Sequence, residues 1–256
     1  MSDAPLKVWR DRDGKLLRLR LSRPKANIID AEMIGALTRA LSDNLSDPSL
    51  MAVLIDHEGP HFSFGASVAE HLPGQFEGML KTFISLILHM VESEVPILAA
   101  VRGQCLGGGM EVAIASGLIF AAADAKFGQP EIQVGVFAPP ASALLPERMA
   151  RGAAESILLS GRPIGADEAY RLGLVHEVSA DPEAAALAYF DQSLASHSPI
   201  VLRYAQRAAR YDMVERVKTK FAVLQELYIS GLMSTKDAVE GLTAFLDKRP
   251  AKWEGR

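Results

Sequence analysis

Two glutamates and a glycine triplet are the residues of this chain whose types and spacing best suit chemistry. Residues 107–109 are three consecutive glycines, Glu111 stands two positions beyond them, and Glu131 ends the segment FGQPE further along the chain. Glycine lets a backbone N–H approach a ligand closely, and a pair of carboxyl groups can serve as acid and base. The pattern indicates an enzyme with an acid/base site.

Each of these features also has a plain structural interpretation. The triplet alone fits a tight turn from a strand into a helix, and Glu131 alone fits a solvated loop. Glu111 is harder to explain in that way, because its neighbours from Met110 to Ile114 are otherwise apolar. It should face a protein-lined space near the start of a helix, where an unpaired carboxylate is unfavourable and the helix dipole favours a negative group.

Other catalytic motifs are not supported. The dinucleotide fingerprint fails at Val112, and the phosphate-binding loop fails at Gly109, where a lysine is required. The six histidines show no metal-binding spacing, and no serine lies in a nucleophile elbow. We therefore expect no metal site.

Composition limits the class of protein. The 256 residues are 49% hydrophobic and 23% charged, with a net charge of −4 and no polybasic run, which predicts a globular protein that binds neither nucleic acid nor a membrane. Cys105 is the only cysteine, so an internal disulfide is excluded and a reducing, cytoplasmic location is expected. The charged segment 1–13 has no apolar signal core.

Alternating strands and helices must position the two glutamates. Hydrophobic patterns predict strands at 16–21, 51–55 and 97–101, a helix capped by Asp30, a helix at 76–92 and another that begins inside the triplet. Glu131 is predicted in a loop or at a strand end. Later helices are predicted at 153–159, 167–172, 199–211 and 214–233. The fold class is therefore α/β, with helices dominating the C-terminal part.

Several segments together carry a family resemblance. They are FSFGAS at 62–67, VRGQCLGGGME at 101–111, FGQPEI at 127–132, SGRPI at 160–164, AYRLGLV at 169–175 and EGLTAFLDKR at 240–249. In this order they resemble the enoyl-CoA hydratase/isomerase, or crotonase, family, from about Leu21 to the C-terminus. The resemblance implies a spiral of ββα units over residues 1–195 and a helical trimerisation region over 196–256. It also implies a homotrimer or a homohexamer.

The resemblance further implies an acyl-CoA substrate. The backbone amides of Ala66 and Gly108 would form an oxyanion hole for the thioester oxygen. Glu111 would act mainly as the base that orients water, and Glu131 mainly as the proton donor, although the two roles can be shared. No metal or redox cofactor is implied. The substrate-binding residues would be Lys25, Ala26, Phe64, Gly65, Phe137, Pro139, Phe245 and Lys248.

Three departures from the family pattern indicate a rebuilt acyl pocket. Ser67 and Ala69 replace an aspartate and a lysine, Phe64 replaces a small residue, and the segment FAPPAS at 137–142 replaces a glycine-rich turn. Two prolines should stiffen that loop and remove amide donors. With the segments FSFGASV at 62–68, VFAP at 136–139 and LPER at 145–148, the chain most resembles, within the family, hydratases of cyclohexa-1,5-diene-1-carbonyl-CoA, in anaerobic benzoyl-CoA degradation. A hydratase or isomerase of linear enoyl-CoA remains the alternative, followed by a noncatalytic binding protein.

Overall fold

The fold is built on two β-sheets in a computed structural model that describes residues 4–256. The first three residues lie outside the described residues. They belong to the predicted domain 1–195 and to the segment 1–13. The strands are β1 (Leu6–Asp11), β2 (Leu16–Leu21), β3 (Ala52–His57), β4 (Ile97–Val101), β5 (Gln104–Leu106), β6 (Leu118–Ala121), β7 (Lys126–Gly128), β8 (Ile164–Gly165) and β9 (Glu177–Val178). One sheet has the order β1-β2-β3-β4-β6-β9 and the other the order β5-β7-β8.

Helices follow or separate most of these strands. They are α1 (Ala31–Asn44), α2 (Phe76–Val91), α3 (Gly108–Ala115), α4 (Pro139–Arg148), α5 (Arg151–Ser160), α6 (Ala166–Arg171), α7 (Pro182–Tyr189), α8 (Pro199–Glu226) and α9 (Lys236–Leu246). In the larger sheet β1 is antiparallel to β2, and the strands from β2 to β9 are parallel to their neighbours. Parallel strands need crossover connections, which explains the alternation of strands and helices.

Within residues 4–256, local sequence signals predicted five of the seven helices before the C-terminal region, but only three of the nine strands. Asp30 caps α1 as expected, since its carboxylate accepts a hydrogen bond from the N–H of Met33 at 3.0 Å. Helix α5 ends at Gly161, whose φ of 65° is left-handed, as expected for a C-terminal glycine. Strand β4 and helix α3 also occupy the predicted places. The α/β class is confirmed.

The prediction of two helices at 199–211 and 214–233 is wrong. A single helix, α8, runs from Pro199 to Glu226, and a π-helical turn (Leu227–Gly231) continues it. No glycine or proline lies between Pro199 and Gly231, so nothing in the backbone breaks the helix. Asp212 and Arg216 form an ion pair one turn apart across the predicted gap.

The segment 137–142 is not the stiffened loop that its prolines predicted. Pro139 and Pro140 occupy the first two positions of α4, where a missing N–H has no helical partner to lose. One amide donor also survives there, because the N–H of Ala141 donates to Glu111. Glu131 likewise lies in a short 3₁₀ turn (Pro130–Val134) rather than in a loop or at a strand end.

The C-terminal helices pack on the core that carries the two glutamates. Helix α8 lies against α2 and α4, and α9 lies against the turn that holds Glu131. The contact with α9 is close, because a Cβ added to Gly241 would lie 2.5 Å from the carbonyl oxygen of Val134. The boundary at 195/196 stays a prediction. Within residues 4–256, no helix combines the length and apolar character needed to cross a membrane.

Candidate active site

Helix α3 places Glu111 inside the protein. The chain turns at Gly107, whose φ of 48° is left-handed, and α3 begins at the next residue. All eight residues of α3 are buried, and Glu111 is only 4% exposed. Its Oε1 accepts the N–H of Ala141 at 2.9 Å. A carboxyl group on a wholly buried helix, held by one amide, is typical of a functional position.

The predicted oxyanion residues lie side by side. A Cβ added to Gly108 would stand 3.1 Å from both the backbone nitrogen and the Cβ of Ala66. Gly108 is the first residue of α3, so its N–H has no partner within the helix. Among residues 4–256 no acceptor pairs with the N–H of Ala66. The preceding Gly65 has a φ of 111° and donates its N–H to Ser63 Oγ at 3.0 Å, which fixes the turn that presents the Ala66 amide.

Glu131 reaches the same place from the second sheet. The 3₁₀ turn that carries it follows β7, which pairs with β5 just before the glycine triplet. A Cβ on Gly107 would lie 2.7 Å from Glu131 Oε1, so this glycine leaves the room that the carboxyl group occupies. The structure therefore joins Glu111, Glu131 and both oxyanion amides in one site.

The two carboxyl groups hold protons more tightly than free glutamates do. Burial raises the pKa of Glu131 to about 7. Burial raises the pKa of Glu111 well above its ordinary value, the nearby charge of Glu131 raises it further, and the Ala141 amide opposes both effects. Two close carboxyl groups in a dry site do not both ionise readily. The pair is therefore suited to share one proton near neutral pH.

Gln129 is a polar neighbour of this pair. Its side chain is buried, and with its amide nitrogen turned toward Glu131 it donates to Oε2 at 3.0 Å and to Oε1 at 3.1 Å. An amide can also present its oxygen to a protonated carboxyl group. Gln129 can accordingly hydrogen-bond to Glu131 in either protonation state.

Three cavities meet at Glu131, and two of them also have Ala66 in their walls. Of these two, the outer cavity has a volume of about 290 Å³, and the inner chamber has a volume of about 20 Å³. Ala66, His71 and Glu131 line both, so the spaces are neighbours. Of the predicted substrate-binding residues, the outer cavity has Phe64, Gly65 and Phe245 in its wall, and the inner chamber has Phe137 and Pro139.

Three other predicted substrate contacts lie outside these walls. Lys25, Ala26 and Lys248 line neither space. Ala26 still supports the site, because its carbonyl oxygen accepts the N–H of Phe64 at 2.9 Å. Their predicted contacts with CoA stay predictions.

Sequence reasoning missed three polar residues of the site. His71 lines both spaces, Tyr228 lines the inner chamber, and Gln129 contacts Glu131. Gln129 lies in the quoted segment FGQPEI, so that motif held a signal. His71 and Tyr228 had none, because each is brought to the site by tertiary packing rather than by a local pattern.

A family profile and the sequences of known proteins point to the same family. The sequence profile of enoyl-CoA hydratase/isomerase matches residues 11–256. The chain is 59% identical to the cyclohexa-1,5-dienecarbonyl-CoA hydratase of Thauera aromatica over the whole of both chains. It is 30% identical to the carnitinyl-CoA dehydratase of Salmonella typhi, with 96% of this chain and 97% of that protein covered.

Solved structures agree with this assignment. An enoyl-CoA hydratase/isomerase from Pseudoalteromonas atlantica superposes with a TM-score of 0.87 at 26% identity, covering 98% of this chain and 100% of the other. An enoyl-CoA hydratase from Mycobacterium avium gives a TM-score of 0.86 at 26% identity with the same coverage. The crotonase fold expected from the sequence is thus confirmed. The chain belongs to the enoyl-CoA hydratase/isomerase family.

Proposed function

We propose that this protein is a hydro-lyase that adds water to cyclohexa-1,5-diene-1-carbonyl-CoA and forms 6-hydroxycyclohex-1-ene-1-carbonyl-CoA. The observation that supports the reaction type is the pair formed by the buried Glu111 and the half-buried Glu131 beside the amides of Ala66 and Gly108. A pair that shares one proton has one member to accept a proton from water and one to give a proton to carbon.

The mechanism follows from this arrangement. The reactive form of the pair carries its shared proton on Glu131. In that form Glu111, whose carboxylate accepts the N–H of Ala141, takes a proton from water while the water oxygen bonds to one ring carbon. Glu131 gives its proton to another ring carbon. The two amides donate hydrogen bonds to the thioester oxygen as negative charge develops on it. Each donor lowers the free energy of the transition state by roughly 3–4 kcal/mol. One water is consumed, and proton exchange with solvent restores the pair.

The ring substrate is supported by sequence identity and by the walls of the site. The 59% identity to a cyclohexa-1,5-dienecarbonyl-CoA hydratase extends over the full chain, which supports the proposed role of the reaction in anaerobic benzoyl-CoA degradation. Phe64 and Phe245 line the outer cavity, whose volume of about 290 Å³ gives room for a ring, and Phe137 and Pro139 line the small inner chamber that adjoins it. Apolar and aromatic walls of this kind are typical of sites that bind apolar ligands.

Product analysis tests the proposal. The pure protein is incubated with the cyclic dienoyl-CoA or with crotonyl-CoA, in water and in heavy-oxygen water, and the products are identified by mass spectrometry. We expect one labelled hydration product from the ring substrate and a clearly higher kcat/KM for it. A clear preference for crotonyl-CoA would instead make the protein a hydratase of linear enoyl-CoA.

Further properties belong to the same proposal. Hydration moves only protons and a water oxygen, so we propose that no metal or redox cofactor takes part. We propose a homotrimer or homohexamer, supported by the apolar residues that α8 exposes, among them Ile200, Tyr204 and Tyr211. A cytoplasmic location stays a prediction from the single cysteine.

A further inference from the structure

Tyr228 is a buried tyrosine whose hydroxyl group has no partner. Its side chain is 1% exposed, and its hydroxyl makes no hydrogen bond within residues 4–256. A buried hydroxyl without a partner is unfavourable and calls for an explanation. Tyr228 also lies in the π-helical turn that follows α8, and such turns occur frequently at functional sites.

The position of Tyr228 supplies a reason for the unpaired hydroxyl. The residue lines the inner chamber together with Glu111 and Glu131. Its ring is held in place by Phe137, with ring centroids 5.4 Å apart, and by Phe76 at 6.4 Å. Burial and the charges of both glutamates raise the pKa of Tyr228 above its ordinary value. The hydroxyl therefore keeps its proton and can both donate and accept a hydrogen bond.

Few other donors of the chamber are free to bind a water, since the N–H of Ala66 is assigned to the thioester oxygen. Pro139 and Pro140 line the chamber but have no N–H, and the N–H of Ala141 is taken by Glu111. The ring nitrogen Nδ1 of His71 lies 2.8 Å from the carbonyl oxygen of Ser67. Because a carbonyl only accepts, Nδ1 carries the proton of the neutral ring and Nε2 is left as an acceptor. Tyr228 is thus the neutral side-chain donor of the chamber.

The size of the chamber matches one water molecule. Its volume of about 20 Å³ exceeds the roughly 10–15 Å³ that one water needs. A confined water needs about two to four polar partners, and Glu111, Glu131 and Tyr228 provide three. We infer that the hydroxyl of Tyr228 binds the water that the glutamates add, and then the hydroxyl that this water becomes in the product.

This inference rests on the proposed hydration and extends it to a third catalytic residue. The water oxygen gives one proton to a glutamate during attack and keeps the other. Tyr228 holds that oxygen in place by a hydrogen bond, and neither makes nor breaks a covalent bond. The diene substrate has no hydroxyl group at this position, whereas the product has one. Tyr228 should therefore contribute to product binding and to turnover, but not to binding of the diene.

The first test is Tyr228→Phe, which removes only the hydroxyl. We expect kcat to fall about tenfold, as for a lost hydrogen bond to a reacting group, and KM for the dienoyl-CoA to stay within about twofold. The midpoint of thermal unfolding should stay the same or rise, because the hydroxyl has no protein partner to lose. Tyr189→Phe is the matched control, since Tyr189 packs against Phe120 and His176 away from the site.

A binding measurement separates a catalytic role from a structural one. In a Glu131→Gln background, which slows turnover, calorimetry compares the affinity for the dienoyl-CoA with the affinity for the hydroxylated product. Adding Tyr228→Phe should weaken product binding about tenfold and leave diene binding unchanged. Unchanged kcat, equal losses for both ligands, or a clear drop in thermal stability would each overturn the inference.

The same experiment distinguishes this inference from the proposed substrate. If the wild-type protein hydrates crotonyl-CoA rather than the ring substrate, the substrate proposal fails. Tyr228→Phe is then measured with crotonyl-CoA and 3-hydroxybutyryl-CoA, and the same selective loss supports the role of Tyr228. If the wild-type protein hydrates neither thioester, both proposals are overturned.

Discussion

At the scale of single residues, Glu111 and Glu131 form one titrating unit, because they share a buried chamber and one affects the pKa of the other. We expect Glu111→Gln and Glu131→Gln each to lower kcat by roughly 10²–10⁴-fold, while binding of a CoA ester persists. The double variant should lose far less than the product of the single losses, since removing either member already disables the unit. Steady-state kinetics and calorimetry measure both effects.

The control for this comparison is Glu177→Gln, because Glu177 is exposed in strand β9. It should leave kcat unchanged. Near-normal turnover in either single variant would remove that glutamate from the mechanism. Fully multiplicative losses in the double variant would show that the two act independently.

The raised pKa of Glu131 also predicts how stability depends on pH. An unfolded glutamate titrates near about 4.3, whereas burial raises the pKa of Glu131 to about 7. The folded protein therefore binds more protons between these values, and its stability falls as pH rises through them, by at most about 1.4 kcal/mol per pH unit. Glu131→Gln does not titrate, so we expect it to unfold at a higher temperature than the wild type at pH 8, with a smaller gain at pH 5.

Thermal unfolding across this pH range tests the expectation. Glu177→Gln serves again as the control and should follow the wild-type curve. Parallel curves for Glu131→Gln and the wild type would show that the folded protein does not hold a proton at this position more tightly than the unfolded chain.

At the scale of elements, the turn from β5 into α3 determines where the two glutamates meet. Gly107→Ala would introduce a Cβ 2.7 Å from Glu131 Oε1, in a backbone with a φ of 48°. We expect a loss of about 1–3 kcal/mol of stability from the strained backbone and a fall in kcat of at least tenfold as Glu131 is displaced. Denaturant unfolding and steady-state kinetics measure the two effects.

Gly152→Ala is the matched control, because a Cβ there meets nothing within 4 Å and Gly152 lies in helix α5. That change should stabilise the protein by up to about 1 kcal/mol and leave kcat unchanged. A Gly107→Ala variant with normal kcat would show that the turn does not set the position of Glu131.

The same turn shows which features of the site can be predicted from the sequence. The glycine triplet predicted the start of α3, and the apolar neighbours of Glu111 predicted its burial, because both are local signals. The hydrogen bond between Ala141 and Glu111 joins residues far apart in the chain, so a local sequence pattern cannot predict it. The prolines of α4 were interpreted as a stiff loop, although prolines fit the first turn of a helix equally well.

At the scale of the whole molecule, the C-terminal region serves both the site and the outer surface. Helix α9 lies against the turn of Glu131, and Tyr228 reaches the inner chamber. Helix α8, in contrast, presents apolar side chains to the outer surface. Ile200, Tyr204 and Tyr211 are each more than half exposed. Their spacing of four and seven residues puts them on one face of the helix. The family resemblance predicted helices here and two substrate contacts, Phe245 and Lys248, but it did not predict that Tyr228 would reach the site.

An exposed apolar face on α8 favours self-association of the chain. We expect light scattering after gel filtration to give three or six times the chain mass of 27.6 kDa. Tyr204→Asp combined with Tyr211→Asp should shift the protein toward monomers, because two charges would be buried without partners in the interface. Tyr170→Asp, at an exposed tyrosine of α6, is the control and should keep the wild-type mass. A wild-type monomer would contradict the predicted assembly, and an unchanged mass in the double variant would place the interface on another face.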